Sequence, residues 1–128
     1  MRILLDTNAY SDWRRDGRWN ETIITASEVL IPAIVLGELR YGFQGAAQGP
    51  ENEIKLQNFL RSPVVRVVTV GDPTSRSYAN LKYFLRKAGT PIPENDIWIA
   101  ALAVEHGVPV LTLDGHFEKL PQVARVME

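Results

Sequence analysis

Apolar residues follow two rhythms along this chain. Short unbroken runs, β-branched and bounded by charge or turn residues, read as strands buried on both faces. They fall over residues 2–5, 28–32, 64–70 and 108–112, with a last one near 125–127. Between them apolar positions recur every three or four residues, the signature of helices with one covered face. Helices are predicted over 9–15, 20–27, 33–45, 50–61, 72–88 and 96–106. Asn20 reads as a cap, Pro50 suits a first turn, Asp72-Pro73 caps the fifth helix, and Gly89 and Gly107 stop the last two. Strands alternating with helices imply parallel crossovers, so the fold class is an α/β three-layer α/β/α sandwich with a mainly parallel central sheet. No repeat or linker divides the chain, and 1–128 reads as a single domain.

Composition narrows the chemistry. The 128 residues include no cysteine, which excludes disulfides, thiolate metal sites and a cysteine nucleophile. The apolar run before Asp6 is too short for a signal peptide and no stretch would span a membrane, so a cytoplasmic protein is expected. The net charge of −1 hides a segregation: seven bases against one acid between Lys55 and Lys87, and six acids against two bases from Glu94 onward. If four acids were neutralised by metal the balance would be +3, so a polyanionic partner is not excluded.

In an open parallel sheet, ligands bind beyond the carboxyl ends of the strands. Asp6 follows the first strand there, Asp114 follows the fourth, and Asp96 opens a helix after the stiff Thr90-Pro91-Ile92-Pro93 loop. Glu38 interrupts an otherwise apolar helix. Four converging carboxylates raise one another's pKa unless a cation compensates. With every available donor an oxygen, zinc is disfavoured and Mg²⁺ or Mn²⁺ fits, as does phosphodiester hydrolysis by a water that the metal activates.

Plainer readings stand beside this one. Asp6 and Asp96 can be helix caps, Asp114-Gly115 a turn, and Glu38 an acid paired with Arg40 or Arg14. The chain would then be a non-catalytic binding module. A second alternative is another acid-based phosphohydrolase using Asp6 as nucleophile, although Asn8 stands where a dehalogenase-like phosphatase has a second aspartate. Asn8 and Thr112 are candidate helpers, the first through its amide and the second as a hydroxyl that orients a carboxylate. His106 suits a helix C-terminus, and His116 lies nearer the predicted site. Arg14, Arg15, Arg18, Lys82 and Arg86 are candidates for gripping phosphates.

Four segments together resemble a known family: Leu4-Leu5-Asp6-Thr7-Asn8, Val35-Leu36-Gly37-Glu38-Leu39-Arg40-Tyr41-Gly42, Asn95-Asp96-Ile97-Trp98-Ile99-Ala100-Ala101 and Leu111-Thr112-Leu113-Asp114-Gly115-His116-Phe117. In this order and at these separations they resemble the PIN domains, and within them the VapC-type toxins of toxin–antitoxin pairs. The resemblance covers nearly the whole chain. It implies a Mg²⁺- or Mn²⁺-dependent endoribonuclease acting on RNA, held inactive by a VapB-type antitoxin, and a homodimer. It places Asp6 and Asp96 as principal metal ligands, Glu38 and Asp114 as completing the quartet, and Thr112 as the supporting hydroxyl. Some relatives carry a further acid near position 116, where this chain has His116; one metal ion is therefore expected and a second left open.

Overall fold

The computed structural model describes residues 1–126. Its elements run β1 (Arg2–Leu5), α1 (Thr7–Asp16), α2 (Asn20–Ile24), β2 (Glu28–Pro32), α3 (Ala33–Phe43), α4 (Gly49–Leu60), β3 (Val65–Val68), α5 (Asp72–Ala88), α6 (Glu94–His106), β4 (Val110–Leu111), a 3-10 turn over Gly115–Lys119, and β5 (Arg125–Val126). The sheet order is β3-β2-β1-β4-β5 and all four pairings are parallel. Helices on both faces complete the predicted α/β/α sandwich. No described helix is long and apolar enough to cross a membrane.

β1 lies at the centre because it can afford no wet face: Ile3, Leu4 and Leu5 are all fully buried. From it the chain steps outward on one side through β2 and β3, then returns to the other side at β4. That reversal leaves a crevice between the carboxyl ends of β1 and β4, the usual ligand position in such sheets. α6 presents an almost wholly apolar face, with Ile97, Ile99, Ala100, Ala101, Leu102 and Ala103 buried. It packs against α5, where Trp98 stacks on Tyr78 with ring centroids 3.8 Å apart.

Several element boundaries differ from the expected ones for local reasons. α2 stops at Ile24 and Asn20 does not cap it: Trp19 occupies the cap in a left-handed conformation (φ 70°) with its indole buried. Asn20 then falls inside the helix, and its side chain accepts a hydrogen bond from Trp13 Nε1 at 3.0 Å. α5 has its expected bounds, 72–88, but Asp72 is its first residue and Gly71 stands at the cap, its N–H donating to Thr74 Oγ1 at 3.0 Å. α6 starts at Glu94, two residues before Asp96, because Pro93 (φ −56°) sets up the helical entry. β3 and β4 are shorter than the apolar runs containing them, and α3 ends at Phe43. Met127, expected in the last strand, lies outside the described residues.

Candidate metal centre

Asp6 leaves β1 at its carboxyl end and turns the chain into α1. Its Oδ1 accepts the Ala9 N–H at 2.7 Å, so the capping reading of Asp6 holds and α1 begins at Thr7. The same carboxylate reaches across to the neighbouring strand, where Oδ2 accepts a hydrogen bond from Thr112 Oγ1 at 2.6 Å. Thr112 sits just beyond β4, is itself buried, and its Oγ1 accepts the Asp114 N–H at 2.8 Å. One hydroxyl thus ties the first acid to the loop carrying the fourth. Asp6 is only 3% exposed, and burial lifts its pKa from 3.8 to about 6. The hydrogen bonds from Thr112 and Ala9 work against that rise, while the charges of Asp114 and Asp96 add to it.

Asp96 lies in the first turn of α6 and makes no capping bond, so its carboxylate is left for the crevice. Burial is the largest cause of its raised pKa; the His116 hydrogen bond opposes the rise, and Asp114 and Glu38 contribute repulsion. Glu38 comes from the middle of α3 and accepts a hydrogen bond from Thr7 Oγ1 at 2.6 Å. Neither basic partner considered for it from sequence takes that role. Arg40 forms a two-pronged pair with Glu53 at 3.0 and 3.1 Å, and Arg14 lies over the Trp13 ring at 4.0 Å.

A cleft of about 430 Å³ is lined by Asp6, Thr7, Asn8, Glu38, Glu94, Asp96 and Asp114, with Pro93 and Asn95 at its edge. The four acids singled out from sequence therefore meet on one surface, although they derive from β1, α3, α6 and the loop after β4. Among the described residues, no lysine or arginine lines the cleft. Glu94 is drawn toward Lys82 and Tyr78, with which it hydrogen-bonds, so that lysine does not neutralise the other acids. Asn8 reaches the cleft but lies exposed.

Thr7 is absent from the candidates that sequence offers, and His116 stands among them only as lying nearer the site. Thr7 was not recognised as the hydroxyl that orients Glu38; its position between Asp6 and Asn8 was the available signal. His116 enters the cluster directly, its Nδ1 2.8 Å from Asp96 Oδ2 and 3.0 Å from Asp114 Oδ1. Asp96, Asp114 and His116 each offer a ligand atom within 4.8 Å of the others, which makes them a candidate metal cluster. The expectation that every donor is oxygen is therefore corrected by one imidazole nitrogen. Mutually repelling carboxylates, two with raised pKa values and no lysine or arginine among them, have the chemistry of a divalent-cation site.

The plainer readings hold in part. Asp6 caps α1, and Asp114 caps the 3-10 turn by accepting the His116 N–H at 2.9 Å. Neither role uses up a carboxylate, since each oxygen can accept more than one bond.

Known proteins resemble this chain over most of its length. A family model described as PIN domain matches residues 3–123. Ribonuclease VapC4 of Mycobacterium tuberculosis is 35% identical over 123 residues, spanning 95% of this chain and 93% of its own. Toxin FitB of Neisseria gonorrhoeae is 30% identical over 122 residues, spanning 88% and 87%. The solved structure of VapBC-5 from M. tuberculosis, described as a member of the VapBC family of toxin–antitoxin systems, is similar with a TM-score of 0.74. It is 28% identical and covers 98% of both chains.

Proposed function

Since the chain belongs to the PIN-domain family, among its VapC/FitB-type toxin–antitoxin ribonucleases, we propose that it is a Mg²⁺- or Mn²⁺-dependent endoribonuclease. In this reading it is the toxin of a toxin–antitoxin pair, cuts RNA in the cytoplasm, is restrained by a VapB-type antitoxin and works as a homodimer. The nuclease unit is the whole stretch 1–128. The observation that carries the proposal is the meeting of Asp6, Glu38, Asp96 and Asp114 on one cleft that no lysine or arginine lines.

Asp6, Asp96, Glu38 and Asp114 would hold the cation. When bound, the ion supplies the positive charge that lowers the pKa of water and offsets the charge of a phosphodiester in its transition state. The chain's own groups prepare the site. Thr112 and the Ala9 N–H fix both oxygens of Asp6, and Thr7 fixes Glu38, so the acids stand in place before substrate arrives. Asn8, on the exposed rim, can donate its amide to a phosphate oxygen.

RNA needs a grip outside an acidic cleft. A second cleft of about 410 Å³ shares α1 and α3 with the first and is lined by Tyr10, Arg14, Arg15 and Lys55 among others. Arg15 is tied to Asp12 at 2.6 Å, whereas Arg14 rests on aromatic rings and keeps its charge for a phosphate. Of the other candidate grips, Lys82 pairs with Glu94. Binding through such cations weakens as salt rises.

The test is co-expression. The chain alone should arrest growth, the product of the neighbouring gene should relieve it, and mapped RNA ends should show cleavage. Purified protein should lose cleavage on chelation and in Asp6→Asn or Asp96→Asn variants that keep the wild-type circular dichroism spectrum. Undiminished cleavage by both variants would overturn the proposal.

A further inference from the structure

We infer that Nδ1 of His116 is a direct ligand of the cation at Asp96 and Asp114, so that the centre is mixed carboxylate–imidazole rather than all-oxygen. The inference rests on the metal-dependent reading above. It starts from the three ligand atoms themselves. Nδ1 lies 2.8 Å from Asp96 Oδ2 and 3.0 Å from Asp114 Oδ1. An octahedral ion with bonds of about 2.1 Å separates adjacent ligand atoms by about 3.0 Å, so both spacings match edges of one coordination shell.

The backbone holds the imidazole in this position. His116 lies in the 3-10 turn over Gly115–Lys119, and its own N–H is bonded to Asp114 Oδ1 at 2.9 Å. The next residue, Phe117, is fully buried and anchors the turn to the core. Asp96 and Asp114 have side chains only 17% and 20% exposed, and among the described residues neither has a lysine or arginine partner. His116 is 41% exposed, which leaves its outer edge in water. With metal on Nδ1 the ring proton resides on Nε2, where solvent can accept it. A nitrogen donor favours borderline transition ions over Mg²⁺ relative to a carboxylate in the same place. Position 116 thus tunes which metal the centre selects.

The test uses the full chain loaded with MnCl₂ and read by pulsed electron paramagnetic resonance. Wild type should show ¹⁴N coupling to Mn²⁺ that changes to the ¹⁵N pattern when histidine alone is labelled. The chain has two histidines, and His106, ten residues beyond Asp96 on the same helix, lies about 15 Å along it, so the signal is assignable without any variant. His116→Asp should still bind Mn²⁺ but without nitrogen coupling, and its preference for Mn²⁺ over Mg²⁺ in calorimetry should fall at least about threefold. Mn²⁺ bound by wild type, lost in Asp96→Asn, yet showing no nitrogen coupling would overturn the inference and leave the metal-dependent reading intact. No Mn²⁺ binding at all would overturn both.

Discussion

Burial holds the Asp6 carboxyl at about 6, against 3.8 in its ordinary state. Between those values the folded protein keeps a proton that the unfolded chain has released. Stability of the metal-free protein should therefore fall as pH rises from about 4 to about 6 and level off above that. A displacement of this size corresponds to about 3 kcal/mol. Asp6→Asn removes the titrating group, so urea denaturation in chelator across this range should show a flatter profile for the variant. Parallel profiles would place the proton elsewhere. Thr112→Val should push the Asp6 pKa higher still, since the hydroxyl hydrogen bond lowers it. That variant should also cost about 1–3 kcal/mol, because the buried Asp6 Oδ2 loses its donor and the Asp114 N–H its acceptor. The four acids were legible in sequence because Asp6 and Asp114 follow strands, Glu38 breaks an apolar helix and Asp96 opens a helix after a proline-stiffened loop. Thr7 was not, and His116 only as a residue near the site, because their contacts are with residues 31 and 20 positions away.

Secondary elements were legible where hydrophobic rhythm and tertiary packing agree, as in β1, β2, α4 and α5. They were less so where a neighbouring residue overrides a cap. Trp19 displaces Asn20 from the cap of α2, and Pro93 starts α6 early enough to release Asp96 from capping. The α3–α4 pair offers a direct check on such local geometry. At Gly49, first residue of α4, a Cβ would stand 2.1 Å from the Phe43 carbonyl oxygen, which is backbone and cannot move aside. At Gly37, inside α3, a Cβ would meet nothing within 4 Å. Gly37→Ala should stabilise the protein by about 0.5–1 kcal/mol through the gain in helix propensity. Gly49→Ala should destabilise it by at least about 1 kcal/mol. Thermal melts of both variants decide this, and equal shifts in one direction would show that the turn between the helices yields to an added Cβ.

At the scale of the molecule, charge is segregated, with the acids gathered at one cleft and the bases elsewhere. Three of the seven bases between Lys55 and Lys87 are tied to nearby acids, Arg66 to Glu28, Arg76 to Asp72 and Lys82 to Glu94. None of these cations lines the acidic cleft. A divalent ion that binds only the folded state should therefore stabilise the whole protein. At a hundred times its dissociation constant the gain is about 2.7 kcal/mol, which for a chain of this length raises the melting temperature by on the order of 10 °C. The gain must depend on pH in a definite direction. Below about 6 the Asp6 carboxyl carries a proton that the ion has to displace, so apparent affinity falls up to about tenfold per pH unit. Melts with and without Mn²⁺ at fixed concentration should show a large shift at pH 7.5 and one smaller by about 1.4 kcal/mol or more at pH 5. Asp6→Asn should lose most of the shift at both. An equal shift at the two pH values would mean that the ion sits clear of Asp6, and the joining of β1 to β4 at this cleft would then serve the fold and not the metal.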